Sequence, residues 1–376
     1  MRTIVGQHFL IGVSGHTLTN DEKKFIVENN ISGVVLFGRN CSEPKQIRDL
    51  CAEIQSLRHQ MIEKTPLYVA IDMEGGRVAR LKKPFTQWPA LKKLGDLDSP
   101  TTSFSFAQAM GAELKAVGIN LDFAPCLDVF SNPKNTVIGD RSVSVDPEMV
   151  AKHATALIRG YFKSEVIPCG KHFPGHGDTV IDSHEDLPIE QSDWERLQSL
   201  ELIPFVKSFK SKMDLLMTAH IHFPKIDNEW PVTLSEIFLK QILRDKMNYE
   251  GLVITDDLDM KALAKHYDRT QIPVRALQAG CDLLLYCNEP ESPPRAIESI
   301  LKALKDGQLK ESDLRNTYKK ILAMKKQNIP NPDPAPWNEA QSLIGHPDHL
   351  KLSLSILKGE PMTEPQDDPT TRHMAT

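Results

Sequence analysis

Short runs of β-branched or apolar residues alternate with longer stretches of helical periodicity along most of this chain, and the alternation repeats eight times. The candidate strands are Phe9 to Val13, Gly33 to Phe37, Tyr68 to Asp72, Leu121 to Ala124, Val166 to Gly170, Leu215 to Ala219, Leu252 to Thr255 and Leu283 to Tyr286. Helical patterns such as Thr19 to Asn29, Pro44 to Glu63, Ser103 to Val117, Pro147 to Ser164 and Trp194 to Ser208 lie between them. Strand then helix, repeated, makes successive strands parallel and covers the sheet with helices. Eight repeats predict an α/β fold of the (β/α)8 TIM barrel type. The rival, a doubly wound open sheet, would carry a G-x-G-x-x-G or Walker loop after a strand, and none is present.

The chain has 376 residues, 40% of them apolar, which suffices for one large core. We expect a single catalytic barrel domain over residues 1–327, a linker and packing helix over 328–358, and a disordered tail over 359–376, where Pro, Thr and acids dominate. The basic segment from Leu314 to Gln327, with Lys319, Lys320, Lys325 and Lys326, reads as a solvated outer helix. Trp337 to Leu357 reads as one further helix.

A net charge of -5 without a basic tail leaves no footprint for nucleic acid. Near the N-terminus Gln7 and His8 interrupt the apolar residues and no small-residue cleavage site follows, so a secretory signal is not expected. No apolar stretch approaches the ~20 residues of a membrane span. A cytoplasmic monomer without membrane insertion is expected. The six cysteines show no C-x-x-C spacing and read as free thiols in a reducing compartment.

Barrels of this kind carry their chemistry at the C-terminal ends of the strands. Reactive residues obey that register. Asp72, Glu74 and Arg77 follow the third candidate strand; Asp122 and Asp128 flank the end of the fourth; Lys171 and His172 follow the fifth; His220 and His222 the sixth; Asp256 and Asp257 the seventh. The densest cluster is Lys171-His172-Phe173-Pro174-Gly175-His176-Gly177-Asp178 with Asp182-Ser183-His184, whose glycines and prolines predict a loop. In Asp72-Met73-Glu74-Gly75-Gly76-Arg77, a local Glu74–Arg77 pair or a clamp on vicinal hydroxyls is expected. Gly139-Asp140-Arg141-Ser142 alone reads as a loop with its own ion pair. Of the adjacent acids, one is expected to face the barrel mouth and the other to cap the following helix. The mouth-facing acid is a candidate nucleophile toward an anomeric carbon.

Taken together, these motifs resemble the family 3 glycoside hydrolases, and within them the bacterial β-N-acetylhexosaminidases that recycle cell-wall sugars. The likeness runs from about Gly6 to Tyr286, and Lys-His-Phe-Pro-Gly-His-Gly followed by Asp-Ser-His is its most specific part. The resemblance implies that Asp256 is the nucleophile and that His184, oriented by Asp182, is the general acid/base. It implies that Asp72, Arg80, Arg141, Lys171 and His172 hold the terminal sugar. Val143 departs from the Phe usual after Arg-Ser in that family. The implied activity is a retaining exo-β-N-acetylglucosaminidase acting on muropeptides, with no cofactor and no metal. Imidazole suits the acid/base role, because its ordinary pKa of ~6.5 lies near working pH and its neutral form can deprotonate water. A neutral base also does not repel phosphate, so phosphorolysis stays open beside hydrolysis, as does a broad β-glycosidase.

Two readings of other classes compete with this one. A metal-dependent barrel hydrolase would use His172 with His176 or His220 with His222. Pro174 and Gly175 interrupt the first spacing, and the second follows the sixth strand, whereas metal-dependent amidohydrolase barrels carry theirs on the first. A sugar-binding protein without activity would not need both Asp256 and the Asp182–His184 dyad.

Overall fold

The computed structural model describes residues 1–362 of the chain. Eight strands form a closed barrel: β1 (Phe9–Gly12), β2 (Gly33–Leu36), β3 (Tyr68–Ile71), β4 (Leu121–Asp122), β5 (Ile167–Phe173), β6 (Leu215–Thr218), β7 (Leu252–Asp257) and β8 (Leu283–Tyr286). Each pairs in parallel with its neighbours in sequence, and β8 closes on β1. The expected TIM barrel is therefore the fold.

Side chains alternate across each strand. Leu10, Val35, Ala70, Cys169, Met217 and Ile254 belong to the cluster that fills the interior. Their neighbours Ile11, Val34, Val69, Leu216, Val253 and Leu284 pack in a second cluster with the outer helices. Asp72, Lys171 and Asp256 stand two residues beyond the inward Ala70, Cys169 and Ile254. The period that builds the core thus runs on into the polar mouth.

Two strands are irregular where the mouth begins. β5 spends three residues between Gly170 and Phe173 where β6 spends two, and β7 does the same between Ile254 and Asp257 against β8. Extra residues of this kind bend a strand and re-aim its side chains. They lie at Lys171-His172 and Thr255-Asp256. Lys171, His172 and Phe173 are thus strand, whereas the sequence pattern predicts that the loop starts at Lys171.

The basic segment does not form a solvated outer helix. Helix Glu311–Asn328 covers the N-terminal end of the barrel, with Ile321, Met324 and the following Ile329 joined to the interior cluster. Lys325 is fully buried; it donates to Gln7 Oε1 at 2.9 Å and to the Ser32 carbonyl at 2.7 Å, and its ammonium lies 5.0 Å from the Tyr68 ring centroid. Burial pushes its pKa well down. The expected single helix after the linker is two, Trp337–Leu343 and Pro347–Lys358, separated at Gly345, whose φ is +61. The second rests on the barrel through His349 Nδ1 to Glu113 Oε1 at 2.8 Å and Ser353 Oγ to the Gln87 carbonyl at 2.8 Å. Of the tail expected to be disordered, Gly359 to Met362 are described, and residues 363–376 lie outside the described residues.

Candidate active site

After β3 the chain reverses in a hairpin, Met73–Gly75 against Val78–Ala79, through Gly75 and Gly76 at φ +92 and +57. A Cβ on Gly75 would stand 2.4 Å from the Pro89 carbonyl oxygen, so this turn tolerates glycine alone. The reversal buries Glu74 beneath the mouth. Its two oxygens accept from Arg141 Nε and Nη2 at 2.8 Å each, and Lys171 Nζ stands 2.6 Å away. Lys171 also donates to Asp72 Oδ1 at 2.7 Å, and Arg80 approaches Asp72 Oδ2 at 3.5 Å. Arg77, expected to pair with Glu74, instead meets Asp140 at 3.3 Å and donates to the Val137 carbonyl. Three cations thus face two carboxylates. Burial alone would raise the Glu74 pKa, but Arg141 and Lys171 hold it far below the usual carboxylate range. Asp72 and Glu74 in turn raise Lys171 against its own burial.

Asp128 anchors the neighbouring group. Its Oδ1 accepts the backbone N–H groups of His172 at 3.2 Å and His176 at 2.7 Å, while Oδ2 accepts His172 Nδ1 at 2.7 Å and the Cys126 thiol at 3.2 Å. Burial works against its charge, and His172 and His176 more than offset that, so its pKa is held low. With Nδ1 directed at Asp128, the Nε2 of His172 faces Arg141 Nη2 at 3.4 Å. His176 is buried at the cavity wall, bonded to Thr179 Oγ1 at 2.6 Å and Ser183 Oγ at 3.3 Å. Burial and the nearby His172 push its pKa down to about 4, which keeps it neutral.

The adjacent acids differ in what they hold. Asp257 accepts the N–H groups of Asp259 at 3.1 Å and Cys287 at 3.3 Å and the Asn288 amide at 2.9 Å, bracing a turn and the end of β8 rather than capping a helix. Burial, with Asp259 and Asp256 close by, pushes it up to about 7. Asp256 accepts only the Asp257 N–H, at 2.8 Å, among the described hydrogen bonds. Burial would raise its pKa too, but His220, His172 and His184 surround it and hold it below the ordinary value. His220 is buried with both nitrogens engaged, at Thr233 Oγ1 (2.7 Å) and the Asp257 carbonyl (3.1 Å), and His222 turns to the Asp227 carbonyl. These two imidazoles do not converge on one point.

Asp182 Oδ1 accepts both the Nδ1 of His184 at 2.8 Å and its backbone N–H at 2.9 Å, leaving Nε2 outward on a side chain that is 72% exposed. The residues around His184 are tied to the segment that follows the acid pair. Ala262 donates to the Ser183 carbonyl at 3.2 Å, Lys265 to the Glu185 carbonyl at 2.6 Å, and His266 meets Asp186 at 2.5 Å.

A cavity of about 200 Å³ gathers Asp72, Arg80, Arg141, Lys171, His172, His184 and Asp256 on its walls. Of the eight expected site residues, Asp182 alone stands behind the wall. Glu74, which the sequence offered as half of a hydroxyl clamp with Arg77, also lines it, and so do Phe37 and Asn288, which the sequence did not assign to the site.

Residues 3–324 match the N-terminal domain of glycosyl hydrolase family 3. The chain belongs to that family. It is therefore a glycoside hydrolase. A beta-hexosaminidase from Methylococcus capsulatus is 38% identical over 295 residues, 78% of this chain and 85% of that one. One from Nitrosomonas eutropha is 35% identical over 297 residues, 77% and 83%. Among solved structures, the family 3 β-N-acetylglucosaminidase from Paenibacillus sp. FPU-7 superposes with a TM-score of 0.91 at 35% identity, covering 96% of this chain and 68% of that one. NagZ from Neisseria gonorrhoeae, in complex with N-trifluoroacetyl-D-glucosamine, gives 0.74 at 30% identity, covering 94% and 97%.

Proposed function

We propose that this family 3 member is a retaining exo-β-N-acetylglucosaminidase that removes terminal N-acetylglucosamine from muropeptides. The observation that carries the reading is one cavity lined by both Asp256, held anionic, and His184, whose Nδ1 is bound by Asp182. In the first step Asp256 attacks the anomeric carbon, the bond to the leaving oxygen breaks, and His184 Nε2 delivers a proton to that oxygen. In the second, the neutral imidazole takes a proton from water, whose oxygen displaces Asp256. Asp72, Arg80, Arg141, Lys171 and His172 supply donors and acceptors for the hydroxyls of one sugar, and the closed floor behind them favours a chain end.

The proposal includes a cytoplasmic monomer that needs no metal or cofactor. All six cysteines are free, as a reducing compartment would keep them. Phosphorolysis is the second reading, supported by the surplus of cations at the floor and by an acid/base that carries no negative charge. Release from aryl β-N-acetylglucosaminide and aryl β-glucoside, each with and without phosphate, tests both. We expect strong preference for the N-acetyl substrate and free sugar as product. Equal rates on both substrates would refute the specificity, and sugar 1-phosphate would replace hydrolysis by phosphorolysis.

A further inference from the structure

Under the cavity floor, three unlike donors converge in the interior. Cys126 Sγ, a carboxylate oxygen of Asp128 and a ring nitrogen of His172 lie within 4.8 Å of one another, all buried. The thiol takes no part in the reaction described above. Asp128 divides its work between its oxygens: Oδ1 is fixed by two backbone N–H groups, while Oδ2 receives only the thiol and the imidazole Nδ1. Both groups on Oδ2 carry protons that a cation can replace, and the carboxylate keeps its place through Oδ1.

We propose that Cys126, Asp128 and His172 form an inhibitory site for a thiophilic divalent cation such as zinc or cadmium. Tetrahedral zinc holds thiolate sulfur at about 2.3 Å and nitrogen or oxygen at about 2.0–2.2 Å, which separates its ligands by roughly 3.3–3.6 Å. The present separations of 3.2 Å for thiol to Oδ2 and 2.7 Å for Nδ1 to Oδ2 must open by under about 1 Å. On binding, Cys126 loses its proton to solvent and becomes thiolate. The imidazole keeps one proton, now on Nε2 instead of Nδ1, so one proton is released for each cation bound. His172 lines the cavity, which gives the cation its way in. Glu74 already neutralises Arg141, so the incoming charge meets the carboxylate of Asp128.

Inhibition follows from the change of tautomer. Nε2 of His172 faces Arg141 Nη2 at 3.4 Å and can accept from it while Nδ1 carries the proton. With the cation on Nδ1, two donors face each other at the cavity floor. A ligand-binding arginine must then move.

The full-length chain, freed of reducing agent, is titrated with cadmium and with zinc. Cadmium is expected to give a thiolate-to-metal charge-transfer absorption in the ultraviolet, rising to one equivalent in parallel with loss of activity. The Cys126→Val variant is expected to remain active without metal, to lose that absorption, and to need at least about tenfold more of either cation for half inhibition. Cys126→Ser, which keeps the hydrogen bond to Asp128, serves as the second variant should the valine disturb folding. The absorption is read without substrate and so stands apart from the assigned activity. Inhibition of both variants at the wild-type concentration would overturn the proposal and point to the exposed Asp182–His184 pair, and an unchanged absorption in either variant would overturn it as well.

Discussion

At the scale of single residues, the site separates groups that react from groups that hold. The Glu74–Arg141–Lys171 cluster is buried and mutually bonded, and breaking such a cluster by removing one partner costs about 3–5 kcal/mol. Glu74→Gln is therefore expected to lower stability by about that amount, read as a reduced midpoint in urea unfolding. The pH dependence has a definite sign. Glu74 and Asp128 have pKa values depressed in the fold, so their contribution is fully present above the ordinary carboxyl range and is lost as pH falls through that range toward the folded values. Urea unfolding should show stability falling below about pH 4.5, with a shallower fall in Glu74→Gln. Unchanged pH dependence in that variant would contradict the ion-pair account. His184→Ala should slow substrates with poor leaving groups by roughly 10²–10⁴-fold and activated aryl substrates less. Unchanged rates on both would remove the acid/base assignment and make His172 or Glu74 the next residue to test.

At the scale of elements, the mouth was legible wherever the strand period carried it. Asp72 continues the inward alternation of β3, and Lys171 and Asp256 follow the inward Cys169 and Ile254 where the extra residues begin, so the apolar pattern that reveals a strand also marks where its polar end starts. What the sequence did not disclose was pairing across long separation. Glu74 and Arg141 lie 67 residues apart, and no local signal distinguishes that partner from Arg77, three residues away; the reversal at Gly75-Gly76 decides it. The β5 boundary failed for a related reason. Pro174 and Gly175 end regular structure, but the extra residue in β5 lets the strand reach Phe173 first. The ties around His184 give an element-scale prediction. Cutting them by Asp186→Ala or His266→Ala should lower kcat by roughly two- to fivefold without moving Tm, and should speed proteolysis between residues 180 and 187. Unaltered proteolysis would show that these ties do not restrain the loop.

At the scale of the whole molecule, the barrel has a chemical end and a closed end. The helix over Glu311–Asn328 was legible as an amphipathic helix, but its four lysines suggested solvent. Lys325 enters the interior because Gln7, Ser32 and the Tyr68 face satisfy its ammonium, an arrangement invisible from composition. Truncation before residue 311 should expose Ile321 and Met324's partners in the barrel and leave the chain insoluble, whereas ending it after residue 362 should preserve activity and Tm. Prolonged dialysis against chelator should likewise leave turnover unchanged; loss restored by zinc would reverse the metal-independent reading. The central claim is that Asp256, and not its neighbour, forms a covalent bond to the sugar. Trapping with a fluorinated N-acetylglucosaminyl substrate followed by peptide mass spectrometry should place the label on Asp256. A label on Asp257 would reverse the pair, and no label, together with a product of inverted configuration, would contradict the account.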